Sequence, residues 1–333
     1  MRSLTRFSVA AGAAAFIASA AVAQTPTPKL DKVSMRYSYV ATGADTVWSY
    51  GIERNFFREQ GIDLELREGK GSALTAQTVA AGTDDFGVDI DSGTFLGLAA
   101  KGLPATAVLS NVGKNPNVIL SPAAKPLKVP GDLIGKQIAI SGGGGSAALL
   151  PVLFQRNGVD AAEVKLINMQ PNPLLTSLLT GQVDGVATNI VVKASMEAKG
   201  LPVNALMYAD FGVVTPGMYL ITSNALLNSK PDLVQRFVVA AQKSMVATVE
   251  NPQAASEAFS RVYPTYDRNA ALSESLLFIA IFQSEATKGK PLGTVSFEDA
   301  QAGAGVLVSA GVVPAGIDVA RFITNRFVAA ATK

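Results

Sequence analysis

Apolar and polar positions alternate through "KVSMRYSYV" (32–40), which predicts a β-strand. "ATGA" (41–44) interrupts the run, and Asp45 can cap a helix carrying Trp48, Ile52 and Phe56 at spacing four, ending at Gly61. "IDLEL" (62–66) alternates again. The loop "REGKGS", a helix "ALTAQTVAA" ending at Gly82 and a strand "FGVDI" (86–90) complete a β-loop-α-β-loop-α-β order, the grammar of a parallel sheet with covering helices.

The order recurs about a hundred residues later, in "KQIAI", "SGGGGS", "LLPVLFQRNG", "VKLINM", "QPNP", "LLTSLLTG" and "VDGVATN". "FREQGID", ending at Asp63, matches "FQRNGVD", ending at Asp160. "AAGTDDFGV" matches "LTGQVDGVA", which sets Gly82 against Gly181 and Asp85 against Asp184. Retained order and spacing point to two similar α/β lobes, although Gly-x-x-Asp also recurs at helix-to-strand turns in unrelated α/β chains. Two apolar passages with polar loops, 106–120 and 208–223, predict crossovers near residues 113 and 215. The first lobe is then discontinuous, 31–112 plus 215–333, and the second spans 113–214. From Pro231 a helix is expected, with Val234, Phe237, Val238, Ala241, Met245 and Val249 on its apolar face.

Open α/β sheets bind ligands beyond the carboxyl ends of their strands, where helix N-termini offer unpaired N–H groups. That rule gathers 39–45, 69–72 and 89–92 on one rim, and 142–146, 170–172 and 188–189 on the other, so that a cleft between the lobes is the expected site. Glycine inside an ordered element costs roughly 0.5–1 kcal/mol relative to alanine, so the run Gly142–Gly145 needs a reason. Two remain open: its N–H groups and Ser146 cradle a ligand oxygen, or it is a flexible connection. Pro151 argues for a helix start delayed to about Leu149. Gly142, Gly144 and Ala147 satisfy a dinucleotide fingerprint, but no acidic residue ends the next strand, and no Lys-Ser/Thr follows to make a P-loop. Trp48, the only tryptophan, fits ligand stacking and core packing equally. Asp89 and Asp91 share a strand face; each can cap a helix, and Asp91 can accept hydrogen bonds from a ligand.

Residues 1–23 read as a cleavable signal peptide, with Arg2 and Arg6, an apolar stretch and "AVA" before Gln24. Removing both arginines takes the formal charge from +2 to 0. A neutral chain without basic runs lacks the electrostatic footprint of a nucleic-acid binder. The chain contains no Cys and no His, which excludes disulfides, thiolate chemistry, the usual zinc ligands and lipidation at a cysteine. No metal and no cofactor are expected.

"GIERNFFREQGIDLEL", "SALTAQTVAAGTDDFGV", "DLIGKQIAI", "LLTGQVDGVATN" and "YLITSNALLNSKPDLVQRF" resemble the periplasmic solute-binding proteins of ABC importers, in the nitrate/sulfonate/taurine and thiamine-pyrimidine-precursor group, over residues 31 to about 260. The resemblance implies a type II periplasmic binding fold, α/β, with two open sheets and a ligand cleft between the lobes. It implies ligand contacts from the loop after the first strand, from Ser72, Asp91, Gly145 and Ser146, and from Asn189. Together with the rim rule it makes Tyr39, Thr42, Trp48, Ser72, Asp91, Gly145, Ser146, Asn172 and Asn189 the candidate ligand-binding set. An enzymatic branch, the thiamine-pyrimidine synthases, depends on histidine and a cysteine-rich motif that this chain lacks, which favours binding without chemistry. The expectation is a periplasmic, unlipidated monomer that captures a small solute for a membrane permease. A sensor partner or an enzyme on the same fold is the alternative. Two acids at one rim weigh against a simple anion and towards a neutral or zwitterionic heterocycle.

Overall fold

The computed structural model describes residues 30–142, 145–213, 215–309 and 311–328; the 1–23 segment, Gly143 and Gly144 lie outside them. Ten strands form along the described chain: β1 Asp31–Tyr37, β2 Ile62–Arg67, β3 Phe86–Asp91, β4 Ala105–Val112, β5 Asn117–Pro122, β6 Gln137–Ile140, β7 Lys165–Asn168, β8 Gly185–Asn189, β9 Val203–Met207 and β10 Met218–Ser223. They build two five-stranded sheets, in the orders β2-β1-β3-β10-β4 and β7-β6-β8-β5-β9.

The two sheets follow one plan. β1 is parallel to β2 and β3, as β6 is to β7 and β8. Each sheet then receives one strand from the far side of a crossover: β10 runs antiparallel to β3 and β4, and β5 antiparallel to β8 and β9. The sheets are therefore mixed where helix-strand alternation predicts parallel ones, because a strand arriving from the other sheet enters the shared slot from the opposite end. The two crossing segments are tied together: Asn115 Nδ2 donates to Thr215 Oγ1 at 2.5 Å.

The long helix Pro231–Glu250 lays Val234, Phe237, Val238, Ala241 and Met245 on the first sheet, where Phe237 stacks on Phe86 with centroids 3.8 Å apart. Val249 departs from the expected apolar face and is exposed. The helix after β1 also differs from its prediction. It runs Thr46–Glu53 and breaks at Asn55, whose φ of 59° cannot continue a helix, so Phe56 opens a separate turn, Phe56–Glu59. Thr42 caps the preceding 3-10 turn Gly43–Asp45, and the Asp45 carboxylate reaches back to accept from the Thr42 N–H at 2.8 Å. Pro151 sits inside the helix Gly145–Arg156 and does not delay its start to Leu149. No helix among the described residues is long and apolar enough to cross a membrane.

Candidate functional site

The loops at the carboxyl ends of β1, β3, β6 and β8 meet around a cavity of about 190 Å³. From the first sheet's side Tyr39, Thr42, Ser72 and Asp91 line it; from the second sheet's side come Gly145, Ser146 and Asn189. Ser146 is placed by Tyr208, a buried residue of the second crossing segment whose hydroxyl donates to the Ser146 carbonyl at 3.2 Å. Tyr39 spans the cleft through a 3.4 Å contact to the Ser141 hydroxyl. Asn189 ends β8 just before the helix Val191–Ala198, its Oδ1 accepting from the Val191 N–H at 3.1 Å.

One candidate falls elsewhere, and the side chain of another is outside the described residues. Trp48 is 2 % exposed and does not line this cavity; it packs in the first sheet's core, beside Val47, Met245 and Phe282. The physical reason is helical phase: the face that meets the helix Pro231–Glu250 carries the indole with it. Asn172 belongs to the helix Pro171–Leu179, with its side chain outside the described residues.

Close approach of backbone explains one glycine of the 142–145 run. A Cβ on Gly145 would stand 2.2 Å from Asp91 Cβ and 2.5 Å from its Oδ2, so only glycine lets the two sheets close here. Asp91 is held on both sides: Oδ1 accepts from the Thr94 N–H at 2.9 Å, capping the helix Ser92–Ala99, and Oδ2 accepts from Asn117 Nδ2 of β5 at 2.9 Å. Burial pushes the Asp91 carboxyl up, and the Thr94 and Asn117 donors work against that. Asp91 therefore acts as a clamp between the sheets, with both carboxyl oxygens engaged by protein.

The same cavity reaches two carboxyls absent from the candidate set, Asp45 and Asp89. Asp89 occupies a β-bulge, where Val88 and Asp89 oppose the single residue Leu220, and its φ of 59° is one that aspartate tolerates and most side chains do not. The bulge brings Asp89 Oδ1 to 2.5 Å from Asn111 Nδ2 and turns the carboxyl towards Asp45. Burial pushes Asp45 well above the ordinary carboxylate range, and the neighbouring Asp89 charge adds to this; burial raises Asp89 also. Asp45 Oδ1 is inaccessible and receives no N–H or hydroxyl donor. Burial raises both carboxyls and the Asp89 charge raises Asp45 further, which favours a single proton held by the pair.

Glu274, on the helix Arg268–Ile279, braces the loop carrying these groups. It accepts from the Gly43 N–H at 2.8 Å and from the Tyr266 hydroxyl at 2.6 Å, and burial raises its carboxyl. Gly43 is a second position of close approach: a Cβ there would lie 2.4 Å from the Ala271 carbonyl oxygen. None of the described residues lining the cavity is Lys or Arg.

Two mixed sheets of one plan, joined by paired crossings and enclosing a polar cavity, are the fold of the periplasmic binding proteins. The chain belongs to the NMT1/THI5-like family, whose sequence model matches residues 46–255. It is similar to the riboflavin-binding protein RibY of Chloroflexus aurantiacus, 26 % identical over 322 residues that cover 93 % of this chain and 90 % of that protein. Among solved structures it resembles the periplasmic aliphatic sulphonate-binding protein SsuA of Escherichia coli, with a TM-score of 0.67 at 15 % identity over 90 % of this chain and 99 % of that one. The desulfurization enzyme DSZB shares the fold more distantly, with a TM-score of 0.56 at 14 % identity over 89 % and 97 % of the two chains.

Proposed function

We propose that this chain, the periplasmic solute-binding component of an ABC importer, captures a neutral or cationic single-ring organic solute between its sheets and hands it to the membrane permease. The observation that carries the ligand class is the charge of the cavity: buried Asp45, Asp89 and Asp91 line it, and no basic side chain does. At an effective dielectric of about 20, an anion placed about 5 Å from one carboxylate is opposed by about 3 kcal/mol. The sulphonate class bound by SsuA is thereby disfavoured here. Size narrows the class further. A cavity of about 150 Å³ accepts benzene, so about 190 Å³ suits one substituted ring. The three-ring system of riboflavin, the solute in RibY's name, exceeds it unless the lobes open.

In this reading the lobes are 31–112 with 215–333, and 113–214. A solute touching Tyr39, Thr42 and Ser72 on one and Ser146 and Asn189 on the other favours the closed state through contacts that the open state lacks. The protein binds without turnover, acts as a monomer in the periplasm after loss of 1–23, and uses neither metal nor cofactor. Support for binding over catalysis comes from the chain's lack of His and Cys and the absence of a cavity-lining Lys.

The test is thermal denaturation of the exported form, refolded to strip carried-over solute, against aminopyrimidines, aromatic amines, flavins, alkanesulphonates, taurine and nitrate. A solute at a hundred times its dissociation constant adds about 2.7 kcal/mol of stability. A rise with amino-substituted rings and none with the anions is the expected result. A rise with the anions alone overturns the ligand class, and no rise with any member overturns the cavity as a solute site.

A further inference from the structure

Asp45 and Asp89 approach from different elements, the 3-10 turn Gly43–Asp45 and the bulge in β3, and both face the cavity. They are 4 % and 9 % exposed. The surrounding titratable groups are Tyr37 on β1, Tyr263 and Tyr266 beyond the helix Pro252–Val262, Glu274 on the helix Arg268–Ile279, and Asp91 at the end of β3. None is a cation. Asp45 Oδ1 lacks any N–H or hydroxyl donor, although its other oxygen is engaged by Thr42, and Asn111 Oδ1, beside Asp89, is buried without a donor as well. Two acceptor oxygens, Asp45 Oδ1 and Asn111 Oδ1, thus stand without a donor at this end of the cavity, where the Tyr37 hydroxyl is the one unpartnered donor among the described residues, whereas both carboxyl oxygens of Asp91 are engaged.

We propose that the Asp45–Asp89 pair is the subsite for a protonated nitrogen of the solute, and that arrival of this cation drives the proton shared by the two carboxyls out to solvent. The inference rests on the cavity being the solute site. In the step one carboxyl O–H bond breaks, its electron pair stays on the oxygen, and the proton passes to buffer. The pair goes from one negative charge to two, and the N–H donors of the arriving cation take over the role of the lost proton. Asp45 Oδ1 then gains the donor that the protein does not give it. A solute without a positive nitrogen leaves the proton where it is and gains less from this end of the cavity.

Matched probes of one ring size separate charge from shape: benzamidine against benzamide, and 4-amino-5-aminomethyl-2-methylpyrimidine against its 5-hydroxymethyl counterpart. Isothermal titration of the whole exported chain at pH 7, in phosphate and in Tris, gives affinity and, from the dependence of heat on buffer ionisation, the number of protons released. The expected result is at least tenfold tighter binding of the charged member of each pair, with release of about one proton. Asp45→Asn and Asp89→Asn should each lower cation affinity at least tenfold and bring proton release near zero, while leaving the uncharged member's affinity within about threefold. Asn accepts the left-handed backbone at position 89, so that variant keeps the bulge if the Asp45 variant fails to fold. Equal affinity within both pairs, failure of both charged probes to bind, or binding without proton release overturns the proposal. Where an uncharged panel solute still raises the melting temperature, only the subsite has failed; where none does, the cavity reading has failed with it.

Discussion

Gly145→Ala tests whether the glycine run exists for the closure of the two sheets. The added methyl would fall 2.2, 2.3 and 2.5 Å from Asp91 Cβ, Cγ and Oδ2. Asp91 cannot turn aside without releasing Thr94 or Asn117. The least costly relief separates the helix Gly145–Arg156 from the end of β3 and gives up the Asn117 hydrogen bond, worth about 1.5–3 kcal/mol for a charged acceptor. Overpacking of a tight contact costs a similar amount, roughly 1–3 kcal/mol. At about 2–4 °C per kcal/mol, a loss of roughly 3–10 °C in melting temperature is expected. Closure-dependent solute binding should weaken about 10- to 100-fold, since 1.4 kcal/mol is tenfold. Chemical denaturation of both single variants and the double variant with Asp91→Gly, which removes every clashing atom, isolates the contact. The methyl should cost much less in the Asp91→Gly background, giving a coupling above about 1 kcal/mol. Additivity within about 0.5 kcal/mol, with Gly145→Ala melting like the parent, would refute the reasoning.

Three further outcomes follow from the same geometry. The folded-state Asp45 carboxyl is raised, so the stability that its proton contributes is full below the unfolded value, near 3.9, and is lost as pH rises through the folded value. Asp45→Asn keeps an uncharged donor there; thermal melts of the solute-free protein should match the parent near pH 4 and exceed it increasingly towards pH 8, and a gap that shrinks with pH contradicts the shared proton. Trp48→Ala should cost roughly 3–5 kcal/mol, as for other buried aromatics, while the folded remainder binds solute with unchanged affinity; a selective affinity loss would return Trp48 to the site. Asp84 is buried, which works against its charge, but donors from Arg36 at 2.6 Å and Arg67 at 3.0 Å prevail and hold its carboxyl below the usual range. Its contribution is therefore present at neutral pH and lost as pH falls below the unfolded value, and Asp84→Asn should cost roughly 1.5–3 kcal/mol at pH 7 but little near pH 2, read by urea denaturation.

The two-sheet α/β architecture and the family were legible because they rest on features that local spacing records: alternating or buried strand runs, glycines ending helices, and an order of elements that repeats. The antiparallel β5 and β10 were not legible, since strand direction is decided by which sheet the chain comes from and leaves no local mark. Trp48 was ambiguous for a related reason. Its spacing with Ile52 and Phe56 suits one apolar face, yet Ile52 is partly exposed and Phe56 belongs to another turn, so helical phase depended on a break at Asn55 that the residue type alone does not announce.

Asp45 and Asp89 were hidden more deeply. Each had an adequate local explanation, as a helix cap and as a strand-end acid, and local explanations are what sequence spacing can supply. Thr42 instead provides the cap, which frees the second oxygen of Asp45, and a bulge turns Asp89 out of its expected alternation. Neither event has a signature beyond residues that permit it. The cavity's charge follows from these two displacements, forty-four residues apart in sequence and adjacent in space. The fold is shared with a protein named for binding sulphonate, yet the described residues of this wall include acids and no lysine or arginine. In the proposed reading the cleft between the sheets holds the solute, and a bulge with a relocated cap selects its charge. Comparisons of ligand across this fold should follow positions 45 and 89 before overall identity.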